Sequence, residues 1–212
     1  SMFQVYSDNP FVSVLENDAE RPPTVNNWHS DYCFAAKPDF LSILHTQIVP
    51  EIGGDTIWVN MYAAYETLPP ELRKRIGGLT IKHDTQYTLD GLDRNGGPPL
   101  TSAKASGTFD VVTIPGISHP IIRTHPETGD RALYFSREHT INFEGMTPRE
   151  STSLLDWLES HMTQPVFTTR FHWRKGSIAF WDNRCVSHYA LNDYQGERRH
   201  MHRLTIAGDT PR

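Results

Sequence analysis

Residues 177–189 read SIAFWDNRCVSHY, an apolar segment that ends in a polar turn and is followed by His188. Its first part is rich in aromatic and β-branched residues, which predicts a short, largely buried β-strand. Similar segments recur along the chain, and we predict strands at 11–15, 41–49, 56–60, 79–83, 111–114, 121–124, 132–135, 177–181 and 204–207. The sequence therefore indicates a mainly β protein.

Two peripheral helices are predicted among these strands. The first begins at Thr147, with Pro148 at the first helical position and Glu150 able to complete a capping box. The second covers 61–76 and is broken or restarted at Pro69-Pro70. We expect both helices to pack on the core and assign them no chemistry.

Composition limits the classes of protein that remain. The chain has 212 residues, 37% of them hydrophobic, and shows no repeat or linker, so we predict a single domain over residues 1–212. Its formal net charge is −5 and its 20 Lys and Arg residues are spread out, which argues against a nucleic-acid partner. No run approaches the roughly 18 apolar residues of a membrane span, and no signal pattern opens the chain. We expect a cytoplasmic protein whose two cysteines, Cys33 and Cys185, are free thiols.

The segment 84–118 has many Gly, Pro and Ser residues and little apolar periodicity. Loops of this length in compact domains are usually functional or mobile. We predict a mobile lid over an active site, with a plain surface excursion as the alternative.

Three side chains suggest a metal site. His29 and Asp31 lie two residues apart, so in an extended segment they share a face with backbones about 6.6 Å apart. His188 is the candidate third ligand. Two histidines and one carboxylate leave coordination positions open, as in non-haem Fe(II) oxygenases, whereas a closed zinc site usually has four ligands including cysteine.

Two arginines near the C-terminus add anion-binding capacity. A turn at 192–196 predicts an antiparallel hairpin that pairs His188 with a position near Arg199. Arg199 and Arg203 would share a strand face about 13 Å apart and bind two different anions. The alternative is that Arg198, Arg199 and Arg203 form a solvated edge.

The chain from about Val14 onward resembles the TauD/TfdA family of Fe(II)- and 2-oxoglutarate-dependent dioxygenases. The matching stretches are Asn27-Trp28-His29-Ser30-Asp31, Gly53-Gly54-Asp55-Thr56-Ile57-Trp58, His119-Pro120, Arg123-Thr124-His125-Pro126, Trp181-Asp182-Asn183-Arg184, His188-Tyr189-Ala190, Arg199, His202 and Arg203. The resemblance implies a double-stranded β-helix, a jelly roll with the metal at its mouth. Family members often associate, so the resemblance leaves a homo-oligomer open.

The resemblance further implies a role for each matching residue. His29, Asp31 and His188 would hold Fe(II), and Thr56 with Arg199 would bind the co-substrate 2-oxoglutarate. Substrate would meet Arg203 and Tyr6. The expected reaction uses O2 to hydroxylate a small anionic organic substrate, an alkyl sulfonate or sulfate ester, with release of succinate and CO2. Two alternatives are the same chemistry on an aryloxy or other carboxylate, and a non-catalytic metal-binding jelly roll.

Three departures from taurine-cleaving members concern the substrate. Phe3 stands where a histidine is expected, Val25 where an asparagine is expected, and His139 where an aromatic residue is expected. These changes disfavour taurine itself. Family members also usually carry more chain before this point, which leaves open that an N-terminal segment is missing.

Overall fold

The structure is a computed structural model that describes residues 9, 11–23, 26–83 and 116–212. Within these residues the strands are β1 (Ser13–Asn17), β2 (Asp39–Ile48), β3 (Thr56–Asn60), β4 (Thr80–His83), β5 (Ile117–Pro120), β6 (Ile122–Thr124), β7 (Arg131–Leu133), β8 (Thr140–Phe143), β9 (Thr168–Phe171), β10 (Ile178–Asp182), β11 (Val186–Ala190) and β12 (Arg199–Ala207). The helices are α1 (Met61–Glu66), α2 (Pro70–Ile76) and α3 (Pro148–Met162), with a 3-10 turn at Pro165–Phe167. The prediction of a mainly β protein with few helices is confirmed.

The described residues form two main apolar cores, and two antiparallel sheets enclose the smaller one. One has the order β1-β12-β2-β10 and the other β11-β3-β9. Aromatic and aliphatic side chains from both sheets meet between them: Leu44, Trp58, Phe171, Trp173, Trp181, Val186 and Met201. The rings of Trp58 and Trp181 lie 5.4 Å apart. This face-to-face packing of two sheets is the arrangement expected of a jelly roll.

Strand β12 alternates strictly between the two sides of its sheet over its first five residues. Arg199, Met201 and Arg203 are buried, whereas His200 and His202 are only partly buried. Successive side chains of a strand point to opposite faces, so the two arginines lie on the core side and the two histidines on the outer side. The predicted common face of Arg199 and Arg203 is confirmed, and the solvated edge is excluded for both.

The helices cover the larger core. Helix α3 begins with the predicted capping box, in which the Thr147 and Glu150 side chains each accept a bond from the other's backbone N–H. Its Leu155, Leu158 and Met162 are buried in that core. The predicted helix over 61–76 is two helices, because Pro70 lacks the N–H needed to continue α1 and instead starts α2.

The predicted hairpin between His188 and Arg199 is wrong. Strand β11 pairs with β3, and His188 lies opposite Trp58. Strand β12 pairs instead with β1 and β2, and Arg199 lies opposite Asn17. The segment between β11 and β12 crosses from one sheet to the other, which a turn signal in the sequence does not distinguish from a tight hairpin.

Some predictions fall where the structure gives no description. Residues 84–115 of the predicted lid, the predicted strand at 111–114, and the residues Phe3, Tyr6 and Val25 lie outside the described residues. The end of the predicted lid segment is corrected, because Ile117 and Ser118 belong to β5. Among the described residues, no helix combines the length and apolar character of a membrane span.

The burial of His83 and His119 predicts that the protein loses stability as the pH falls. Burial lowers the pKa of His83, aided by the like charge of His119, and burial also lowers the pKa of His119. Both therefore take up protons at lower pH in the folded state than in the unfolded chain, where histidine is protonated below about pH 6.5. Their contribution to stability is present above that pH and is lost as the pH falls below it.

We expect urea unfolding experiments between about pH 7.5 and 5 to show a free energy of unfolding that falls by up to about 1.4 kcal/mol per pH unit for each histidine. A His83→Gln variant, which cannot titrate at this position, should show a shallower slope over the same range. An unchanged slope in that variant would contradict the assignment.

Candidate metal centre

Two of the three predicted metal ligands are joined by their backbones. His29 forms an isolated antiparallel bridge with His188 of β11, in which the His29 N–H donates to the His188 carbonyl at 3.0 Å and the reverse bond measures 2.8 Å. Asp31 follows in a turn and not in a strand, since the chain reverses at Tyr32, whose φ is +53°. The expected extended His-x-Asp segment is therefore strand-like only at His29.

The three side chains converge on one point. The Nε2 atoms of His29 and His188 each lie 3.9 Å from Oδ1 of Asp31. One ligand atom from each residue lies within 4.8 Å of the other two. The two 3.9 Å separations lie below the roughly 4.4 Å that two ligands at about 2.2 Å from one ion can span.

The tautomer of His29 also fits a metal ligand. Its Nδ1 lies 2.9 Å from the carbonyl oxygen of Asn27, and a carbonyl can only accept, so Nδ1 carries the proton. In the neutral imidazole the lone pair is then on Nε2, the atom that faces Asp31. Burial lowers the pKa of His188 to about 3, with the neighbouring His29 and Arg203 acting in the same direction, so the His188 imidazole is neutral.

Asp31 is held by a chain of hydrogen bonds. The Ser42 hydroxyl donates to Oδ2 of Asp31 at 2.5 Å, and Nδ2 of Asn183 donates to the Ser42 oxygen at 2.9 Å. The Asn183 carbonyl oxygen also accepts from the Asp31 backbone N–H at 3.3 Å and from Nε1 of Trp181 at 3.0 Å. Oδ2 of Asp31 is thus held by Ser42, and Oδ1 faces the two histidines.

A buried arginine supplies the charge opposite Asp31. Nη2 of Arg203 lies 2.8 Å from Oδ1 of Asp31. Burial alone would raise the pKa of the Asp31 carboxyl, but Arg203, the two histidines and the Ser42 hydroxyl together hold that pKa below its usual range. The aspartate is therefore ionised, as a metal ligand must be.

Thr56 and Arg199 lie in a second buried region. The Thr56 hydroxyl accepts from Nε1 of Trp173 at 2.9 Å, which leaves its own proton free to donate. Gly54 passes so close to Arg199 that an added Cβ would lie 3.4 Å from its Cδ, and its φ of +71° favours glycine. The segment that leads to Thr56 therefore runs alongside Arg199.

Arg199 differs from Arg203 in forming no ion pair with a carboxylate of the described residues. Its side chain is buried, its guanidinium lies 5.9 Å from the ring centre of Tyr194, and its Nε has no hydrogen-bond partner in the described part of the chain. No carboxylate of the described residues lies within ion-pair distance of it. A buried guanidinium in this state suits an external carboxylate.

His139 lies beside the three candidate ligands. Its ring packs edge-on against Phe34 at 4.7 Å, and burial lowers the pKa of His139. The neighbouring Glu138 places Oε2 3.7 Å from Nδ1 of His29. Cys33 is fully buried in the same region, and burial raises the pKa of its thiol, which makes it a poor nucleophile or ligand.

The structure thus brings together His29, Asp31, His188 and Arg203, with Thr56 and Arg199 in the adjoining region; their ligand and binding roles stay predictions. Sequence reasoning missed the contributions of Ser42 and Asn183. Asn183 follows the conspicuous Trp181-Asp182 pair and could have been suspected, whereas a serine within a β-strand carries no signal.

The chain is similar to several known proteins. The sequence profile described as "Taurine catabolism dioxygenase TauD, TfdA family" matches residues 3–205. An alkylsulfatase of Acinetobacter baylyi is 34% identical over 200 residues, which cover 92% of this chain and 61% of that protein. An alpha-ketoglutarate-dependent sulfate ester dioxygenase of Pseudomonas putida is 34% identical over 201 residues, covering 93% of this chain and 65% of that protein.

Solved structures agree with the fold. The crystal structure of a taurine dioxygenase from Burkholderia xenovorans superimposes with a TM-score of 0.77 at 35% identity, over 97% of this chain and 65% of that one. The chain therefore spans less than two thirds of the length of these three relatives.

Proposed function

Because the chain belongs to the TauD, TfdA family of dioxygenases, we propose that it is an Fe(II)- and 2-oxoglutarate-dependent dioxygenase. The proposed reaction converts a small anionic organic substrate, 2-oxoglutarate and O2 into the hydroxylated product, succinate and CO2. An alkyl sulfonate or sulfate ester is the proposed substrate class. Hydroxylation at the carbon that bears a sulfate ester gives an unstable product that collapses to an aldehyde and sulfate.

One observation carries this proposal. Nε2 of His29, Nε2 of His188 and Oδ1 of Asp31 approach one another within 4.8 Å, in the ligand set of non-haem Fe(II) oxygenases. Iron bound there would supply the oxygen-activating chemistry. The protein's part is to keep the His188 imidazole neutral, to hold Asp31 ionised through Arg203 and Ser42, and to exclude water from the site.

Thr56 and Arg199 support the requirement for a co-substrate. We propose that the Arg199 guanidinium binds the distal carboxylate of 2-oxoglutarate through charge-assisted hydrogen bonds, with the Thr56 hydroxyl as an additional donor. A module that only bound metal would have no need of a buried guanidinium that forms no ion pair with a carboxylate of the described residues. This feature favours the enzyme over the non-catalytic jelly roll.

Arg203 is the proposed anchor for the anionic head group of the substrate, together with Tyr6. Its contact with Asp31 places a positive charge next to the proposed metal site, where an anion would be attracted. The names of the two curated relatives, an alkylsulfatase and a sulfate ester dioxygenase, support a sulfur-containing anion. His139 and Phe34 are proposed to shape the neighbouring wall and to disfavour taurine.

The direct test is an anaerobic titration of the purified chain with Fe(II) and then 2-oxoglutarate, following the visible charge-transfer band of the chelate. We expect a band in the wild-type chain and none in the His188→Ala variant. Absence of the band from folded, iron-loaded wild-type protein would contradict the proposal and favour the non-catalytic module.

Substrate class is tested separately by succinate release. A panel of an alkyl sulfate, an alkyl sulfonate, taurine and an aryloxyacetate should give the greatest stimulation with one of the first two. Greater stimulation by the aryloxyacetate, with release of a phenol, would assign the chain to the carboxylate alternative.

A further inference from the structure

Trp173 contributes a buried hydrogen bond to the proposed co-substrate region. Its side chain is 1% exposed, and its Nε1 donates to the Thr56 hydroxyl oxygen at 2.9 Å. An indole N–H can only donate, and a buried donor that lacks an acceptor costs free energy. The indole and the hydroxyl therefore limit each other's hydrogen bonding.

This bond determines what the Thr56 hydroxyl can do. Because the indole donates to the hydroxyl oxygen, the hydroxyl proton points away from Trp173. Thr56 is buried, and no acceptor for that proton occurs among the described residues. A buried hydroxyl that presents only its proton favours an acceptor from outside the chain, such as a carboxylate.

Aromatic packing fixes the orientation of the indole. Trp173 belongs to the smaller core, where the Phe171 ring packs edge-on against it with ring centres 4.9 Å apart. The Trp58 ring lies 6.3 Å away. Phe171 pairs with Thr56 across the β3–β9 ladder, and Trp173 follows two residues later. Turning the indole away from Thr56 would therefore disturb this core.

Asp55, the residue before Thr56, holds the segment that leads to Trp173. Its carboxylate is buried, and Oδ2 accepts from Nε of Arg170 at 2.6 Å. Oδ1 of Asp55 lies 2.9 Å from Nδ1 of His172. One carboxylate thus binds two residues of the segment around the end of β9, which keeps Trp173 next to Thr56.

We propose that Trp173 is a positioning residue of the co-substrate site. Its indole N–H turns the Thr56 hydroxyl so that the hydroxyl proton meets the distal carboxylate of 2-oxoglutarate. This role rests on the proposed function and deepens it, because it sets the direction of one hydrogen bond in addition to the charge of Arg199. A donor that is oriented before binding loses less conformational freedom when the ligand arrives.

The test is the affinity of the Fe(II)-loaded chain for 2-oxoglutarate, measured anaerobically through the charge-transfer band. Trp173→Phe keeps an aromatic ring in the core and removes the indole N–H. We expect this variant to bind 2-oxoglutarate about 3- to 10-fold more weakly, as for loss of one neutral hydrogen bond, and to keep its Fe(II) affinity. Wild-type 2-oxoglutarate affinity in this variant would overturn the proposal.

Two substitutions of Thr56 show whether Trp173 acts through the hydroxyl. Thr56→Val keeps the shape of the side chain without the hydroxyl, and Thr56→Ser keeps the hydroxyl as the matched control. Adding Trp173→Phe should weaken 2-oxoglutarate binding further in the Thr56→Ser variant and leave it unchanged in Thr56→Val. An equal further loss in both variants would mean that Trp173 acts independently of Thr56, against the proposal.

A matched ligand separates positioning from a general disturbance of the site. 2-Oxopentanoate has a methyl group where 2-oxoglutarate has its distal carboxylate, so the Thr56 proton has no partner on it. Trp173→Phe should therefore bind 2-oxopentanoate as the wild type does. Equal weakening for both ligands would contradict the proposal.

A stability measurement tests the hydrogen bond without any metal. Thr56→Val leaves the Trp173 N–H buried without its acceptor, which is costly in the wild-type background and not in Trp173→Phe. Thr56→Val should therefore lower the melting temperature of metal-free protein less in the Trp173→Phe background. Equal lowering in the two backgrounds would exclude the bond.

Failure of this proposal can be told apart from failure of the proposed function. A wild-type chain that binds Fe(II) and no 2-oxoglutarate would overturn both, whereas equal 2-oxoglutarate affinities of the wild type and Trp173→Phe would overturn the role of Trp173 alone.

A nuclear magnetic resonance experiment replaces the affinity test if Trp173→Phe does not fold. The chain has five tryptophans, whose indole N–H signals are recorded with Zn²⁺ as the metal. The signal that moves in Thr56→Val should also move when 2-oxoglutarate is added to the wild type. The absence of such a shared signal would overturn the proposal.

Discussion

Replacing Asp31 with alanine is expected to abolish 2-oxoglutarate turnover. Asp31 supplies the only anionic atom of the three that converge, and its two histidine partners alone would bind iron weakly. Loss of an outer partner of a metal ligand already costs about 10- to 100-fold in affinity, so loss of the ligand itself should cost more. Succinate release and binding of Fe(II) under anaerobic conditions both measure the effect.

This substitution also disturbs the fold, and a second variant separates the two effects. Without Asp31 the guanidinium of Arg203 is buried without its carboxylate, a change that typically costs about 3–5 kcal/mol. The double variant Asp31→Asn, Arg203→Met removes both charges and should recover much of that stability. It should still fail to bind Fe(II) tightly, and a stable double variant with wild-type iron affinity would remove Asp31 from the site.

Replacing Arg199 with alanine is expected to raise the apparent KM for 2-oxoglutarate far more than it lowers kcat at saturation. Truncating one partner of a buried charged pair costs about 2–5 kcal/mol, which corresponds to about 30- to 4,000-fold in affinity. Fe(II) affinity should change little, because Arg199 has no contact with the three converging side chains among the interactions of the described residues.

The adjacent arginine gives a matched control for this prediction. Arg198 lies on the outer side of the sheet, is 56% exposed and pairs with Glu16. Arg198→Ala should leave the KM for 2-oxoglutarate unchanged, since exposed ion pairs are worth little and this one faces away from the core. If Arg198→Ala raised the KM for 2-oxoglutarate as much as Arg199→Ala does, the cause would be a general disturbance of β12 and not the loss of a bound carboxylate.

Predictions from local sequence succeeded where the deciding interactions are also local. The capping box of α3 forms between Thr147 and Glu150, three residues apart, so the residue types are sufficient to predict it. The strand at Thr56–Asn60 was predicted at its observed bounds for the same kind of reason. By contrast, β9 (Thr168–Phe171) was missed, because its strand conformation depends on pairing with β3.

The candidate site shows the same difference between local and non-local interactions. The residue types and spacing of His29, Asp31 and His188, with the family resemblance, were enough to nominate a metal site. They could not predict that His188 bridges His29 or that Ser42 and Asn183 hold the carboxylate. Nor could they reveal that Oε1 of Glu16 on β1 lies 3.2 Å from Nδ1 of His200 on β12.

Residues close together in the chain are sufficient to predict the class of fold, the chemical types of the candidate ligands and the common face of Arg199 and Arg203 on β12, because strand alternation and capping are local. The pairing of the strands is not local, since every strand offers the same backbone hydrogen bonds. The choice among partners depends on how the two sheets pack their apolar faces. That packing, and not any local pattern, places His188 beside His29 and keeps β11 apart from β12.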